Sequence, residues 1–187
     1  MKDNNVIIGE HSYVEKGFRL LWNKPNTLGN NLNPKLIIGK FCSIADNLTV
    51  YLGGNHPVNY MTTSPLHTRL SNNAHSSWKE HLSSGDVVIG NDVWIGDNVV
   101  IMSGVKINDG SVIGAYSVVR SEILPYSINY GNPAKYIRKR VSYETEIKLI
   151  EMKWWDWPIH KIKDVVFLLE SENISELYNY YFENIKI

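Results

Sequence analysis

Residues 86–120 read DVVIGNDVWIGDNVVIMSGVKINDGSVIGAYSVVR, and their main aliphatic residues recur at a strict interval of six. The members of this series are Ile89, Ile95, Ile101, Ile107, Ile113 and Val119. An interval of six matches neither the period of a helix nor the two-residue alternation of an ordinary strand. It is typical of a parallel β-helix, in which each repeat supplies one short strand and one corner. The stretch therefore predicts an all-β solenoid whose main aliphatic series points inward.

A second series of small or branched residues runs two positions ahead of the first. It consists of Val93, Val99, Val105, Ser111 and Ser117. Residues of this size fit near the corners of such a coil, and we expect them to lie there. Glycine follows the main series at Gly90, Gly96 and Gly114. Glycine, asparagine or aspartate at the turns tolerates the positive φ angles that tight corners require.

The same interval of six appears earlier in the chain, in the two triplets Ile8, Val14, Leu20 and Ile38, Ile44, Val50. Residues 23–34 between the triplets are rich in proline, glycine and asparagine, which is typical of a loop. Because the repeat resumes in register after them, we expect this insertion to bulge outward while the coil continues.

Residues 51–85 interrupt the repeat and contain four of the six histidines, together with Trp78. These histidines are His56, His67, His75 and His81. A loop of this length inside a compact domain is usually functional or disordered, and its aromatic content argues against disorder. An alternative for its last part is a short helix over residues 76–82.

Residues 124–140 are predicted to leave the coil, because Pro125 and Pro133 cannot donate ladder hydrogen bonds. From Tyr143 the spacing of apolar residues becomes helical and ends at WWDWP (154–158). Two further helices are expected over residues 160–171 and 174–182. We therefore predict a β-helix domain over residues 1–140, with its long loop at 51–85, and a C-terminal helical extension over residues 141–187.

The composition restricts the function of the chain. Its 187 residues include 19 basic and 19 acidic residues, and this neutral balance argues against nucleic-acid binding and a polybasic membrane patch. A single cysteine, Cys42, excludes an intramolecular disulfide and a multi-cysteine metal site, and we expect it to be a small buried residue. The N-terminus lacks the apolar run of a signal peptide, so we predict a cytoplasmic protein without membrane insertion.

His56 is the candidate catalytic residue. A histidine side chain has a pKa near neutrality and can accept the proton of an attacking hydroxyl group. The two glycines before it allow a close backbone approach, and Pro57 stiffens the chain after it. From the residues alone, a solvated surface histidine remains an alternative. The other three loop histidines lack the spacing of a helical zinc pair and have no cysteine beside them, so we expect no metal site.

Five motifs together resemble those of the hexapeptide-repeat acyltransferases. They are the hexapeptide stretch, NHP (55–57), NDVWIG (91–96), YGNPAKYIRKR (130–140) and WWDWP. The chain is most similar to the xenobiotic acetyltransferases, which include type B chloramphenicol and streptogramin acetyltransferases, and it also resembles sugar O-acetyltransferases. This resemblance implies a left-handed β-helix and a homotrimer with active sites between subunits. It also implies acetyl-CoA as co-substrate and no metal.

The resemblance also implies roles for individual residues. His56 becomes the general base. The coenzyme contacts that it implies are Asp97 (through its backbone), Gly114, Ala115, Arg120, Ser121, Lys135 and Arg138. The residues expected to line the acceptor pocket are Tyr51, Asn55, Tyr60, Thr62 and Trp94. Alternatives remain, since Gly114 and Ala115 could be ordinary corner residues and Trp94 could lie at the trimer interface.

The sequence therefore predicts an acetyl-CoA-dependent O-acetyltransferase that acts directly on an acceptor hydroxyl, which we expect to belong to a sugar or polysaccharide precursor. The alternatives are an antibiotic such as chloramphenicol or a streptogramin, or the amine of a nucleotide-linked amino sugar. A non-catalytic trimeric scaffold is the alternative from another class. A hexapeptide metal enzyme is disfavoured, because residues 86–120 contain no histidine.

Overall fold

A computed structural model describes residues 5–22, 33–71 and 82–186 of the chain. Contacts divide the protein into two compact units, one ending at Arg138 and the other beginning at Lys139. The first unit contains the strands and the histidine-rich loop, and the second contains helices. The insertion predicted over residues 23–34 lies mostly outside the described residues.

The strands are short, and most have two or three residues. They are β1 (Val6–Ile8), β2 (Tyr13–Val14), β3 (Arg19–Leu21), β4 (Leu36–Ile38), β5 (Ser43–Ile44), β6 (Thr49–Tyr51), β7 (Val87–Ile89), β8 (Trp94–Ile95), β9 (Val100–Ile101), β10 (Lys106–Ile107), β11 (Val112–Ile113), β12 (Val118–Val119), β13 (Ser127–Gly131) and β14 (Ala134–Lys139).

Consecutive strands belong to three sheets in turn. Their strand orders are β1-β4-β7-β10, β14-β13-β11-β8-β5-β2 and β12-β9-β6-β3. From β1 to β9, each strand pairs in parallel with the strand three places further along the chain. We call each set of three consecutive strands a coil. The parallel pairing of short strands predicted from the interval of six is thereby confirmed.

The main aliphatic series, predicted to point inward, and the second series, predicted to lie near the corners, are both buried over residues 86–120. Ile44, Ile95 and Ile107 are fully inaccessible, as are Ser111 and Ser117 of the second series. Burying one such aliphatic side chain contributes about 1.5–3 kcal/mol to folding. The first coil differs, because Ile8 on the edge strand β1 is 44% exposed. The described residues place no further strand beyond β1 to cover it.

Glycine is required where the corners of successive coils stack. A Cβ atom on Gly39 would lie 2.5 Å from the carbonyl oxygen of Gly90. Neighbouring side chains hold the same corners together, since Asn91 Oδ1 accepts a hydrogen bond of 2.8 Å from the Lys40 backbone N–H. Asp109 Oδ1 in turn accepts a 2.7 Å bond from the Asn91 N–H. Backbone amides that the tight corner leaves unpaired are thus satisfied by the next coil.

The prediction that residues 124–140 leave the coil is wrong. Strand β13 pairs in parallel with β11, with Ile128 opposite Val112, and β14 follows β13 in the same sheet. The prolines do not interrupt pairing because of where they lie. Pro125 precedes β13, and Pro133 lies in the connection between β13 and β14, so neither removes an N–H from within a strand.

The helices of the second unit are α2 (Tyr143–Met152), α3 (Ile159–Asp164), α4 (Val166–Leu169) and α5 (Ile174–Asn184), with a 3₁₀ turn at Trp154–Asp156. The start of α2 is confirmed, since the Ser142 side chain accepts a hydrogen bond from the Thr145 N–H as an N-cap. The single helix predicted over 160–171 is wrong. It is split into α3 and α4 at Val165, whose φ of −124° is not helical. Helix α5 extends two residues past the predicted end.

Two tryptophans of the WWDWP motif pack inside the second unit. Trp155 and Trp157 are buried, and Trp157 Nε1 donates a 2.8 Å hydrogen bond to the Met152 carbonyl. The Trp157 ring stacks on Tyr181 of α5 with centroids 5.9 Å apart. A buried indole with its N–H satisfied joins the end of α2 to α5. Among the described helices, none is long and apolar enough to cross a membrane.

Candidate active site

The long loop leaves the coils after β6 and returns to them before β7. Its two ends meet at an antiparallel bridge between Asn55 and Leu82. Each residue donates its backbone N–H to the carbonyl of the other, over 3.2 and 3.0 Å. The alternative of a helix over residues 76–82 concerns mostly residues outside the described part, although Leu82 itself lies in this bridge. A helix that the sequence did not predict, α1 (Leu66–Ser71), lies within the loop.

The glycines before His56 do allow a close approach, and the approaching group is Trp22. Gly54 has a φ of +92°, and a Cβ atom on it would lie 2.6 Å from the Trp22 indole nitrogen. Any residue other than glycine would therefore be strained and would collide with the indole ring. No motif marks Trp22 in the sequence, and its neighbours 23–32 lie outside the described residues.

His56 is exposed, whereas the next residue, Pro57, is buried. Its Nδ1 atom lies 3.0 Å from the carbonyl oxygen of Thr63. A carbonyl oxygen can only accept a hydrogen bond, so this contact assigns the proton of a neutral imidazole to Nδ1. The lone pair of the ring then lies on Nε2. The contact both orients the ring and sets the tautomer that a general base needs.

A groove of about 450 Å³ opens beside the ends of the loop. Its lining residues are Asn55, Ser84, Met102, Ser103, Val118, Arg120, Asn132 and Pro133. Two of these, Asn55 and Arg120, were predicted as site residues from the sequence. The others were missed because they come from separate strands, corners and connections. Only the way in which the coils stack brings them together.

Three of the predicted coenzyme residues lie at stacked corners between strands of the second and third sheets. Gly114 and Ala115 connect β11 to β12, and Asp97 follows β8 one coil earlier. The coils are close there, since a Cβ atom on Gly96 would lie 2.8 Å from the Ala115 nitrogen. The Asp97 carboxylate accepts a 3.1 Å bond from the Asp46 N–H. Its side chain therefore supports the adjacent corner.

The remaining predicted coenzyme residues lie in two places. Ser121 follows the groove residue Arg120 and is exposed, while Lys135 and Arg138 are exposed on β14. Their neighbour Lys139 belongs to the second unit, where it forms a 2.6 Å ion pair with Glu146. The Lys139 charge is therefore paired within the second unit.

The predicted acceptor residues come from β6, β8 and the loop. Tyr51 ends β6 and is half-buried, whereas Trp94 on β8 is 56% exposed on the outward face. Tyr60 and Thr62 lie in the loop, and Thr62 Oγ1 accepts a 3.0 Å bond from the Ser64 N–H. Asn55 is the one member of this set that lines the groove.

Comparison with known proteins identifies the family. Residues 86–121 match the family model described as "Bacterial transferase hexapeptide (six repeats)". The chain is 39% identical to a chloramphenicol acetyltransferase of Morganella morganii, over 98% of this chain and 90% of that protein. The chain belongs to the hexapeptide-repeat acetyltransferases.

Two more members of the family show its range. A virginiamycin A acetyltransferase of Staphylococcus aureus is 38% identical over 94% of this chain and 81% of that protein. The solved structure of a galactoside acetyltransferase in complex with coenzyme A matches with 30% identity and a TM-score of 0.50, covering 72% of this chain. The chain spans 65% of the length of that structure. This hexapeptide-repeat acetyltransferase is accordingly an acetyl-CoA-dependent acyltransferase, and the non-catalytic scaffold is not supported.

The only cysteine of this hexapeptide-repeat acetyltransferase is a poor nucleophile. Cys42 is fully inaccessible, and burial raises the pKa of its thiol above the ordinary value, so it remains protonated at neutral pH. The enzyme therefore has no reactive thiol that could carry the acetyl group as a thioester. Within the described residues, no three histidine, cysteine or acidic side chains lie together as metal ligands would. His75, His81 and Trp78 fall outside those residues.

Proposed function

We propose that this acetyltransferase transfers an acetyl group from acetyl-CoA directly to a hydroxyl group of an antibiotic, with His56 as the general base. The observation that carries the catalytic part is the 3.0 Å contact between His56 Nδ1 and the Thr63 carbonyl. The acceptor is assigned from full-length similarity to chloramphenicol acetyltransferase. That similarity supports the alternative acceptor over the sugar acceptor expected from the sequence.

The reaction follows from the imidazole tautomer. The Nε2 lone pair of His56 takes the proton of the acceptor hydroxyl as its oxygen attacks the thioester carbonyl. A C–O bond forms and gives a tetrahedral intermediate. When this intermediate collapses, the C–S bond breaks, and His56 returns the proton to the departing thiolate. The Thr63 carbonyl remains bonded to Nδ1–H throughout and stabilises the imidazolium that forms in between.

We assign the coenzyme to the face that carries the groove and the stacked corners. Arg120 lies at the groove, and Lys135 and Arg138 provide exposed cations suited to phosphate groups. Gly114 and Ala115 are small enough to let a pantetheine chain lie against the corner, and Ser121 follows Arg120. Asp97 contributes through its backbone, because its carboxylate holds the Asp46 N–H.

The acceptor is proposed to approach His56 from the side of the loop. The polar and aromatic groups available there are Tyr51, Asn55, Tyr60, Thr62 and Trp94. Because acetyl-CoA is a cytoplasmic metabolite, we place the enzyme in the cytoplasm.

We further propose that the three sheets wind as a left-handed β-helix. Rotation of consecutive strands among three parallel sheets supports this proposal, as does similarity to the galactoside acetyltransferase structure. Left-handed winding is an exception to the usual right-handed crossover of parallel strands.

A homotrimer is the proposed assembly, since members of this family place their active sites between subunits. Sedimentation equilibrium is expected to give a mass of three chains of 21.4 kDa each. A single-chain mass at the concentration used for assays, with activity retained, would rule the trimer out.

An acceptor panel distinguishes the two leading substrates. Thiol release from acetyl-CoA is expected to rise well above the acceptor-free rate with chloramphenicol, and mass spectrometry is expected to show one added acetyl group on the drug. A galactoside and maltose are the sugar arms, because the match to a galactoside acetyltransferase favours a sugar as second candidate. Release with a sugar and not with chloramphenicol or a streptogramin would replace the antibiotic by the sugar.

A further inference from the structure

We propose that the Ser103 hydroxyl holds both ends of the loop that carries His56 and thereby fixes the position of the imidazole. Ser103 is thus a positioning residue. This role rests on the proposed function of His56. No sequence motif singles out Ser103, which lies at the corner between β9 and β10.

The Ser103 hydroxyl has hydrogen-bond partners at both ends of the loop. It donates to the Leu52 carbonyl over 3.1 Å, where the loop begins. It accepts a 2.8 Å bond from the Ser84 N–H, where the loop ends. The Ser83 hydroxyl lies 3.2 Å away. A serine hydroxyl has one proton and two lone pairs, so these three contacts use its whole hydrogen-bonding capacity.

The corner that carries Ser103 is anchored in the core. Ile101 and Val105 on either side of it are buried, and the Met102 N–H donates a 2.9 Å bond to Val119 in the next coil. The loop end lies directly against this corner, since a Cβ atom on Gly104 would come within 2.7 Å of the Ser84 carbonyl oxygen. Ser103 therefore connects the loop to a part of the molecule that does not move easily.

Asn55 links the anchored ends of the loop to His56. The Asn55 side-chain amide donates a 3.3 Å bond to the Ser84 hydroxyl, and the Asn55 backbone forms the bridge to Leu82. His56 is the next residue. The contact between His56 and Thr63 lies inside the loop, so it keeps its geometry only while the ends of the loop are held in place. Placement depends on the anchored ends.

Replacing Ser103 with alanine removes all three contacts, so the Leu52 carbonyl and the Ser84 N–H lose this hydrogen-bond partner. We expect kcat for acetyl transfer to fall by about 10- to 100-fold, because a catalytic group displaced by about 1 Å loses activity on this scale. Ser103 also lines the groove, but its hydroxyl is fully used by the loop ends, so KM for acetyl-CoA is expected to change much less than kcat. Ser103→Thr keeps the hydroxyl and is expected to restore most of kcat.

Ser12→Ala is the matched control. Its hydroxyl donates a 2.6 Å bond to the Gly39 carbonyl and accepts a 2.8 Å bond from the Cys42 N–H. It thus ties two coils together as Ser103 does, but its hydrogen bonds in the described part of the chain do not reach the loop. We expect Ser12→Ala to lower the melting temperature and leave kcat unchanged.

A readout that does not depend on activity separates this inference from the proposed function. Nitrogen-15 NMR of the imidazole, assigned by comparison with His56→Ala, is expected to show Nδ1 protonated in the wild type and a mixture of tautomers in Ser103→Ala. This change in an enzyme without acetyl transfer would support the positioning role and refute the proposed function. An unchanged kcat and tautomer in Ser103→Ala would refute the positioning role. A rise in KM alone would indicate direct substrate contact and would also refute it.

Discussion

Replacement of His56 by alanine is expected to lower kcat for acetyl transfer by about 10²- to 10⁴-fold, the contribution typical of general acid–base catalysis. The Nδ1 contact with the Thr63 carbonyl puts the lone pair on Nε2, and no other side chain in the loop has been assigned this task. The substitution removes an exposed ring, so the melting temperature should change little. Thiol release with saturating acetyl-CoA and the best acceptor measures the effect.

His160→Ala provides the control, because it removes an exposed histidine on α3 in the other unit. Its kcat should equal that of the wild type. A His56→Ala enzyme that retains most of its kcat would contradict the general-base role. A parallel loss in His160→Ala would show that the assay responds to a general change in the protein.

Ile107→Ala is expected to lower the free energy of unfolding of the first unit by about 2–5 kcal/mol. The side chain is fully inaccessible within the inward series, and its strand β10 pairs with β7 on one side, Ile107 opposite Ile89. Stiff neighbouring strands limit the collapse of the cavity that the substitution leaves. Urea denaturation followed by circular dichroism gives the change.

The adjacent Lys106 offers the matched substitution on the opposite face of the same strand. Lys106 is exposed, and its 4.0 Å contact with Glu122 joins two well-exposed side chains, an arrangement that contributes little. Lys106→Ala should therefore stay within about 0.5 kcal/mol of the wild type. Equal destabilisation by the two substitutions would contradict the assignment of inward and outward faces.

The inward series could be predicted because a hexapeptide repeat records the direction of each side chain in its spacing. Helical spacing of apolar residues likewise located the start of α2 at Tyr143. It did not predict the break at Val165, because the helical spacing of apolar residues continues across it. Residues 124–140 were also misplaced, because two prolines suggested the end of a sheet although they lie outside the strands.

The candidate site was only partly predictable. His56 was found through a local motif, and Asn55 and Arg120 were also named. Trp22, which lies against Gly54, and the group that orients His56 were not identified as such. The contact of Trp22 with Gly54 depends on how the coils stack, and the contact of the Thr63 carbonyl with His56 depends on the path of the loop. Neither contact has a signal in the sequence.

The interval of six, the residues that point inward and the histidine in the interrupting loop could all be predicted from the chain alone, because each follows from local spacing or a short motif. Which coil lies on which across that loop depends on how the chain folds in three dimensions. Leu52 and Ser103 are 51 residues apart, yet a single hydrogen bond joins them. Counting repeats in the sequence does not predict this pairing, because the loop adds residues that belong to no repeat. Backbone pairing of β6 with β9 sets which residues lie opposite each other. It brings the two ends of the loop, and with them His56, to the Ser103 corner.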